Sequence, residues 1–571
     1  MKELIFYDIE IFSHDALIVF KNRNKEVVKY YHNNFEGILE FVQDKLLVGY
    51  NNYFYDDKIL TAMISGWNNG QLKDLNDKLI SGEKWDRVSP YIDSIDCFQQ
   101  INPSMPGLKK IEGNMGKMIL ESAISFDIDR PLTDEEFKEV FDYCSYDVDT
   151  TIDVYNLREH SYFESKSKLL EMLNNDRAKK WNTTTISANL LLDRPLPKWS
   201  SLRIDDEMLE LVPPDVKEMW LQGNSVGSKI KKKSVTINEF DNDIQFGWGG
   251  LHGSHRWLKK VENVKLLDVA SMYPSIIINL NALGSATKRY EEMRNQRVEI
   301  KHKDKVLSDA LKLVLNSVYG NLKNKYSMLN NPRASMTVCV YGQIALYELC
   351  KRLSSYTTII NINTDGVAFT TDNDVYKQIW KEWEKDFNLT LEEENFDLFI
   401  QKDVNNYIAI TNKSLKDEEG KIIAKDNIQV KGGDVNRYYK DNWFANNNTR
   451  IVDIAIVDYL VNGIDVIDTL MNNLDKPYLY QYVLQAGSTY KGTFDDTGKQ
   501  YDKINRVFAT KKKDYVLLQK KRQDDGLVRF ADAPDKMYLW NDECDKLEDF
   551  QSIVDLNHYY QLINRKLDRW K

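Results

Sequence analysis

The chain has 571 residues, 42% of them apolar and 29% charged, and a net charge of −10. That length suggests about four domains at roughly 150 residues each, and the acidic balance excludes a protein that coats nucleic acid by charge alone. Seven histidines and five scattered cysteines, with no Cys-x-x-Cys pair, exclude a zinc ribbon or iron–sulfur cluster, so a metal has to be held by carboxylates, which suits a hard ion such as magnesium.

In chain order, residues 4–12 and 16–31 read as strands, 35–44 as a helix and 46–49 as a buried strand. Residues 133–158 read as a long helix that opens with a capping box, Thr133 as N-cap and Glu136 three residues on. Charged, proline-containing stretches near 160–180 and 194–218 read as a connection. A second α/β block spans about 245–435, followed by a region rich in aromatic and charged residues. The expected class is therefore a multidomain α/β protein. The apolar runs are far too short to cross a bilayer. The N-terminus carries no secretory pattern, so the cytoplasm is the expected compartment.

Two groups of acids stand out. Asp8 and Glu10 lie two apart on a predicted strand and project from one face. Asp56 follows the next buried strand, and Tyr143 and Asp147 lie four apart on the long helix. Acids on an apolar strand are costly unless they bind a metal or a partner. Brought together, these four carboxylates could hold two ions about 4 Å apart, an arrangement that activates water for phosphodiester hydrolysis. In the second group, a buried strand at 264–267 delivers Asp268, and Pro274 is expected to stop that strand. Two β-rich runs over 357–370 flank the polar tip Asn363, Thr364, Asp365 and Gly366. Between them Lys312, Asn316 and Tyr319 fall at helical spacing. Phosphoryl transfer needs metal-holding carboxylates, a cation on the departing charge and a shaped pocket.

The ordered sets resemble known motifs. Asp8-x-Glu10, then Asn52 through Tyr55-Asp56, then Tyr143-x-x-x-Asp147 resemble the three exonuclease motifs of proofreading DNA polymerases. Asp268 through Ser271-Met272-Tyr273-Pro274, Lys312 through Asn316-Ser317-Val318-Tyr319-Gly320, and the Asn363–Gly366 tip strongly resemble motifs A, B and C of family B DNA polymerases of bacteriophage type. The resemblance covers residue 1 to about 440. It implies an RNase H-like 3′–5′ exonuclease domain at 1–165, a connecting region at 166–245 and a right-hand polymerase. The polymerase parts would be a palm at 246–287 and 326–440, fingers at 288–325 and a thumb with the C-terminal region at 441–571.

By position, the resemblance makes Asp268, Asp365 and the Val269 carbonyl ligands of two magnesium ions, with manganese as a substitute. A second pair of ions falls to Asp8, Glu10, Asp56 and Asp147, where Tyr143 orients the attacking water. Tyr273 would exclude a ribose 2′-hydroxyl, Lys312 would contact the triphosphate, and Asn316 and Tyr319 would line the base-pair pocket. Arg294, Arg297 and Lys301 form a stripe that suits either the triphosphate or a solvated helix face. Asn52, Tyr55, Ser94 and Ile95 would hold a frayed primer end, Gly249 and Gly250 would manage the template, and Lys402 with Tyr407 would hold the primer terminus ahead of Lys431. The basic runs around Lys229–Lys233, Lys511–Lys513 and Lys520–Arg522 would contact phosphates.

There are departures. Asn363 stands where motif C usually begins with aspartate. Phe246 stands for the tyrosine of the Gly249-Gly250 loop. Asn405 stands where a lysine is usual before Tyr407. Glu121 occupies the place of a catalytic-site lysine. Only 43 residues separate Asp268 from Lys312 and 42 separate Gly320 from Asn363, which leaves no room for the insertions of the protein-primed subgroup. The expected partners are primed DNA and deoxynucleoside triphosphates, with a helicase, primase or single-strand-binding protein as accessories and no priming terminal protein. A nuclease with an impaired polymerase site, and a non-catalytic DNA-binding scaffold, stand as alternatives.

Overall fold

The computed structural model describes residues 2–222, 233–418, 420–422 and 427–571. Most of the basic run at Lys229–Lys233 therefore lies outside the described residues. The chain forms two compact units. One comprises Met1–Glu164, Asp441–Ile451 and Leu470–Tyr559, and the other Ser165–Lys440, Val452–Thr469 and Tyr560–Lys571.

The first unit begins with a mixed five-stranded sheet: β1 (Glu3–Ile11), β2 (Ala16–Lys21), β3 (Val27–His32), β4 (Lys45–Gly49) and β5 (Ser94–Asp96), in the order β3-β2-β1-β4-β5. The run expected as one strand over 16–31 is two. Asn22 Oδ1 accepts from the Asn24 and Glu26 amides, and Lys25 takes φ 67°, so the chain reverses there. Helices α1 (Ile38–Val42), α2 (Asp56–Ile64), α3 (Asn69–Ile80), α4 (Leu108–Asn114) and α5 (Asp134–Arg158) complete this part. Alternation along β1 sorts its side chains. Ile5, Tyr7, Ile9 and Ile11 pack on Ile59, Leu60, Met63, Leu72 and Leu75 of α2 and α3. Phe6 and Phe12 face the other way, against Val148 and Ile152 and against Val140 and Cys144 of α5. Asp8 and Glu10 share that α5 face. The capping box at Thr133 and Glu136 forms as expected.

The second unit is built on a nine-stranded sheet. The stretch expected as a connection is helical instead: α6 (Glu164–Leu173), α7 (Thr183–Leu191), α8 (Asp206–Leu209) and α9 (Pro214–Leu221). Strands β6 (Ser234–Glu239), β7 (Asn242–Gly247), β8 (His252–His255) and β9 (Lys260–Val269) follow. Then come α10 (Met272–Asn279), α11 (Thr287–Ile300), α12 (Lys305–Lys323) and α13 (Pro332–Ser354). The hairpin β10 (Thr358–Asn363) and β11 (Gly366–Thr370), α14 (Val375–Phe387), β12 (Leu391–Asp403), β13 (Asn406–Ile410) and β14 (Ile428–Lys431) end the block. The sheet order is β14-β13-β12-β9-β11-β10-β8-β7-β6. Pro274 does not end β9, which stops at Val269. It sits in the first turn of α10, where a missing N–H costs no helical bond. One face of β9 and β11 (Leu267, Val269, Val367, Phe369) packs on helices, including α10 and α13. Asp268 belongs to the opposite face, with Val264 and Leu266.

The rest of the first unit comes from the C-terminal region: β15 (Tyr482–Gln485), β16 (Gly492–Phe494), β17 (Gln500–Tyr501), β18 (Ile504–Ala509), β19 (Gln519–Lys521), β20 (Leu527–Arg529) and β21 (Met537–Leu539). Most of the segment read from sequence as a C-terminal thumb is thus part of the same unit as the N-terminal sheet. Its Arg506, on β18, is wholly buried. The guanidinium donates to the Gly113 and Lys117 carbonyls at 3.1 and 2.6 Å, to the Asp542 carbonyl and to Gln481 Oε1. Gln481 and Asn447 both donate to the Asn114 carbonyl. These bonds satisfy the carbonyls that a helix leaves open at its C-terminus, here that of α4.

Candidate active sites

The first acidic group lies between β1 and α5. Ligand atoms of Asp8, Glu10 and Cys144 fall within 4.8 Å of one another. Asp147, one turn beyond Tyr143, and Asp56, at the first turn of α2, are coupled to them electrostatically. Burial, and next the Asp147 carboxylate, pushes Asp8 up to about 8. Burial, and next Asp8, raises both Glu10 and Asp56 well above the carboxylate range. Four acids repelling one another, Asp8 half-buried and the other three buried, form a set that a divalent cation would relieve, and carboxylate oxygens suit magnesium or manganese. The Cys144 thiol donates toward the Asp8 carbonyl at 3.5 Å, and burial raises its pKa.

Sequence reasoning missed Lys109. Its ammonium pairs with Asp147 Oδ1, lies 3.4 Å from Glu112 Oε1 and stands 4.4 Å over the Tyr143 ring. A cation from α4 thus stands beside Asp147 and Tyr143. Leu108 and Ile111 face the core, and Lys109 and Glu112, three apart, share the neighbouring side of that short helix. That spacing was the available signal.

Asn52 and Ser94, expected at a primer end, are buried and point elsewhere. The Asn52 amide and the Ser94 hydroxyl both donate to Asp57, at 3.0 and 2.8 Å, and Tyr7 adds a third bond at 2.7 Å. Asp57 is the satisfied member of the Asp56-Asp57 pair, and its ties fix the start of α2 and so the position of Asp56. Tyr55 is half-buried, with its hydroxyl on Asn76, while Ile95 is half-buried on β5.

The raised carboxylates have a sign that can be tested. With folded values above the unfolded ones near ~4, the native state binds more protons between there and about 8 for Asp8. Stability is therefore lost as pH rises through that window. Metal-free protein is expected to melt at a lower temperature at pH 8 than at pH 5, and magnesium to raise the melting temperature more at pH 8. A magnesium response equal at both pH values would rule out the cluster as an ion site.

The second group lies on the face of the nine-stranded sheet that carries Val264, Ile360 and Phe399. Asp268 on β9 pairs across the ladder with Gly366 on β11, so Asp365 is delivered beside it. A Cβ at Gly366 would stand 2.9 Å from Asp268 Oδ1, so a side chain there would push the carboxylate aside. The Val269 amide donates to the Asp365 carbonyl at 2.7 Å, and Thr364 adopts φ 57° to make the turn. Asp268, Asn363, Asp365, Gly366, Tyr407 and Lys431 line one cavity of about 70 Å³. Burial, then Asp365, pushes Asp268 up to about 7. Burial also raises Asp365, with Lys431 opposing. The Asn363 amide donates to the Val404 carbonyl at 3.0 Å and ties the hairpin tip to the β12–β13 turn, a bond that an ionised aspartate could not make.

Lys402, expected with Tyr407, has its ammonium 2.7 Å from Asp434 Oδ2. Lys431 pairs with Tyr407 across β13 and β14, and its ammonium lies 5.8 Å from the ring centroid. Gly432, at φ 114°, lets the strand end pass Asn406, whose Oδ1 would meet a Cβ at 2.2 Å.

No family model and no curated protein matches the chain. Among solved structures, it is similar to a family B DNA polymerase from the hyperthermophilic archaeon Pyrobaculum calidifontis, with a TM-score of 0.45 and 12% identity over 100% of this chain and 78% of that one. A likeness of that size carries no weight for function, which has to be read from side-chain placement.

Tyr273, in the first turn of α10, stacks on Tyr319 of α12 with centroids 4.2 Å apart and planes 11° from parallel. Its hydroxyl donates to the Gly249 carbonyl at 3.2 Å. Gln343 of α13, fully buried, accepts from the Gly247 amide and donates to its carbonyl, fixing the glycine loop. Tyr273, Tyr319 and Gly249 are thus brought together. Lys312 and Asn316 are exposed on α12, on the helical face that also carries Tyr319. Of the α11 stripe, Arg294 lies 3.8 Å from Glu291, Arg297 is half-buried and Lys301 caps the helix end, exposed. No helix among the described residues is long and apolar enough to cross a membrane.

Proposed function

We propose that the chain is a template-directed DNA polymerase of family B type, encoded by a bacteriophage or mobile element, with a separate 3′–5′ exonuclease site in its first unit. One observation carries the reading: Asp268 and Asp365, on paired strands, open onto one small cavity with Lys431 and Tyr407. Divalent cations held by Asp268 and Asp365 would polarise the phosphate and stabilise the charge that develops on the attacking and leaving oxygens. Around them Tyr273 excludes a 2′-hydroxyl, and Lys312 offsets charge on the triphosphate. Lys431 and Tyr407 hold the primer end. At the first site Asp8, Glu10, Asp56 and Asp147 would hold the ions. Lys109 and Tyr143 fix Asp147 and orient water toward the scissile phosphate.

The nuclease-only alternative rested on Asn363. Its amide is committed to the Val404 carbonyl, and Asp268 and Asp365 keep their places beside it, which supports a working polymerase site. Purified protein with magnesium, primed template and deoxynucleotides is expected to extend the primer, and without nucleotides to shorten it. Shortening without any extension would leave only the nuclease, and neither activity would leave only a scaffold.

A further inference from the structure

The stack that holds Tyr273 does not end at Tyr319. Four residues on along α12, the Lys323 ammonium lies 4.6 Å from the Tyr319 ring centroid. Lys323 itself is exposed, at the last residue of the helix. The Tyr319 hydroxyl is buried near Cys339 and Ser335 of α13 but makes no hydrogen bond there. No bond at the hydroxyl therefore holds the plane of the ring. A cation over the ring is attracted by the negative π face and opposes its tilting. Tyr273 rests flat on that ring, with one hydrogen bond of its own, to Gly249.

Resting on the polymerase reading above, we infer that Lys323 is a positioning residue for sugar selection. It steadies the Tyr319 ring and through it the plane of Tyr273, without touching the nucleotide. A steric gate rejects a single added oxygen only while its wall stays in place. A small loosening of the ring therefore lowers discrimination before it lowers synthesis. The other chemistry open to an exposed lysine is a phosphate contact. That would weaken ribo- and deoxynucleotide use alike and would depend strongly on salt.

The test is single-nucleotide primer extension, measuring kcat/KM for a deoxynucleotide and for the matching ribonucleotide. Lys323→Met keeps the hydrocarbon stem and removes the charge, and Lys323→Arg keeps a cation. Lys323→Met is expected to lower the deoxy-to-ribo ratio by roughly two- to five-fold, as befits an exposed cation–π contact. The deoxynucleotide KM should stay near wild type, and Lys323→Arg should restore the ratio. Tyr273→Ala is the reference, with a larger loss of the ratio. If Tyr273→Ala relaxes selection and Lys323→Met matches wild type, the inference fails while the polymerase reading stands. If Lys323→Met raises KM equally for both sugars, the lysine is a phosphate contact and the inference fails. If Tyr273→Ala leaves the ratio intact, the sugar gate and everything built on it fall together. If the wild type extends no primer, the polymerase reading fails and takes the inference with it.

Discussion

Replacing Asp268 by alanine is expected to abolish primer extension, with a loss of at least about a thousand-fold. The carboxylate is one of two acids that the β9–β11 ladder places on the cavity. Losing it removes ion-derived stabilisation worth several kcal/mol, and each ~1.4 kcal/mol is a factor of ten in rate. The other groups at hand are ill placed: Asn363 is tied to Val404, Lys431 has the wrong charge, and Glu392 and Glu394 on β12 do not line the cavity. The Asp268 side chain is itself raised by burial and by Asp365, so removing it relieves repulsion and should leave stability intact or improved. Primer shortening should stay within about two-fold of wild type. Extension surviving in Asp268→Ala would sink the assignment of this cavity.

The mirror experiment concerns Asp8. Asp8→Ala is expected to reduce primer shortening by roughly a hundred- to a thousand-fold and to leave extension unchanged. Asp8 is coupled to Asp147, Glu10 and Asp56, so its loss dismantles the donor set while also removing the strongest local repulsion. A melting temperature at or above that of wild type would show that lost activity is not lost fold. Equal loss of extension and shortening would mean that the two acid groups serve one reaction, contrary to the proposal.

Much of this was legible because it is local. Asp8 and Glu10 share a face through strand alternation, the capping box at Thr133 states where α5 begins, and the Asn363–Gly366 tip reads as a hairpin. What escaped is set by long-range placement. Lys109 reaches Asp147 across 38 residues of sequence, and Lys431 meets Tyr407 through a strand pairing no local pattern announces. The resemblance assigns Asn52 and Ser94 to a primer end, and in the fold both side chains bond Asp57. Asp57 sits next to Asp56, has the same chemistry and is equally buried, so its hydrogen bonds set it apart, and no local pattern announces those. The helices of 164–221 were hidden by charged residues that interrupt the apolar spacing.

The capping of α4 by Arg506, Gln481 and Asn447 bears on how the protein is made. Gly113 and Asn114 leave the ribosome early, but the groups that satisfy their carbonyls come from beyond residue 440. At about 5–20 residues per second the intervening chain takes on the order of tens of seconds to synthesise. During that interval the nascent first unit has the α4 segment and its lysine but not their support. The second unit can meanwhile draw on the continuous stretch Ser165–Lys440. Order of synthesis thus favours a nine-stranded sheet that matures first and a first acidic group whose surroundings are completed last.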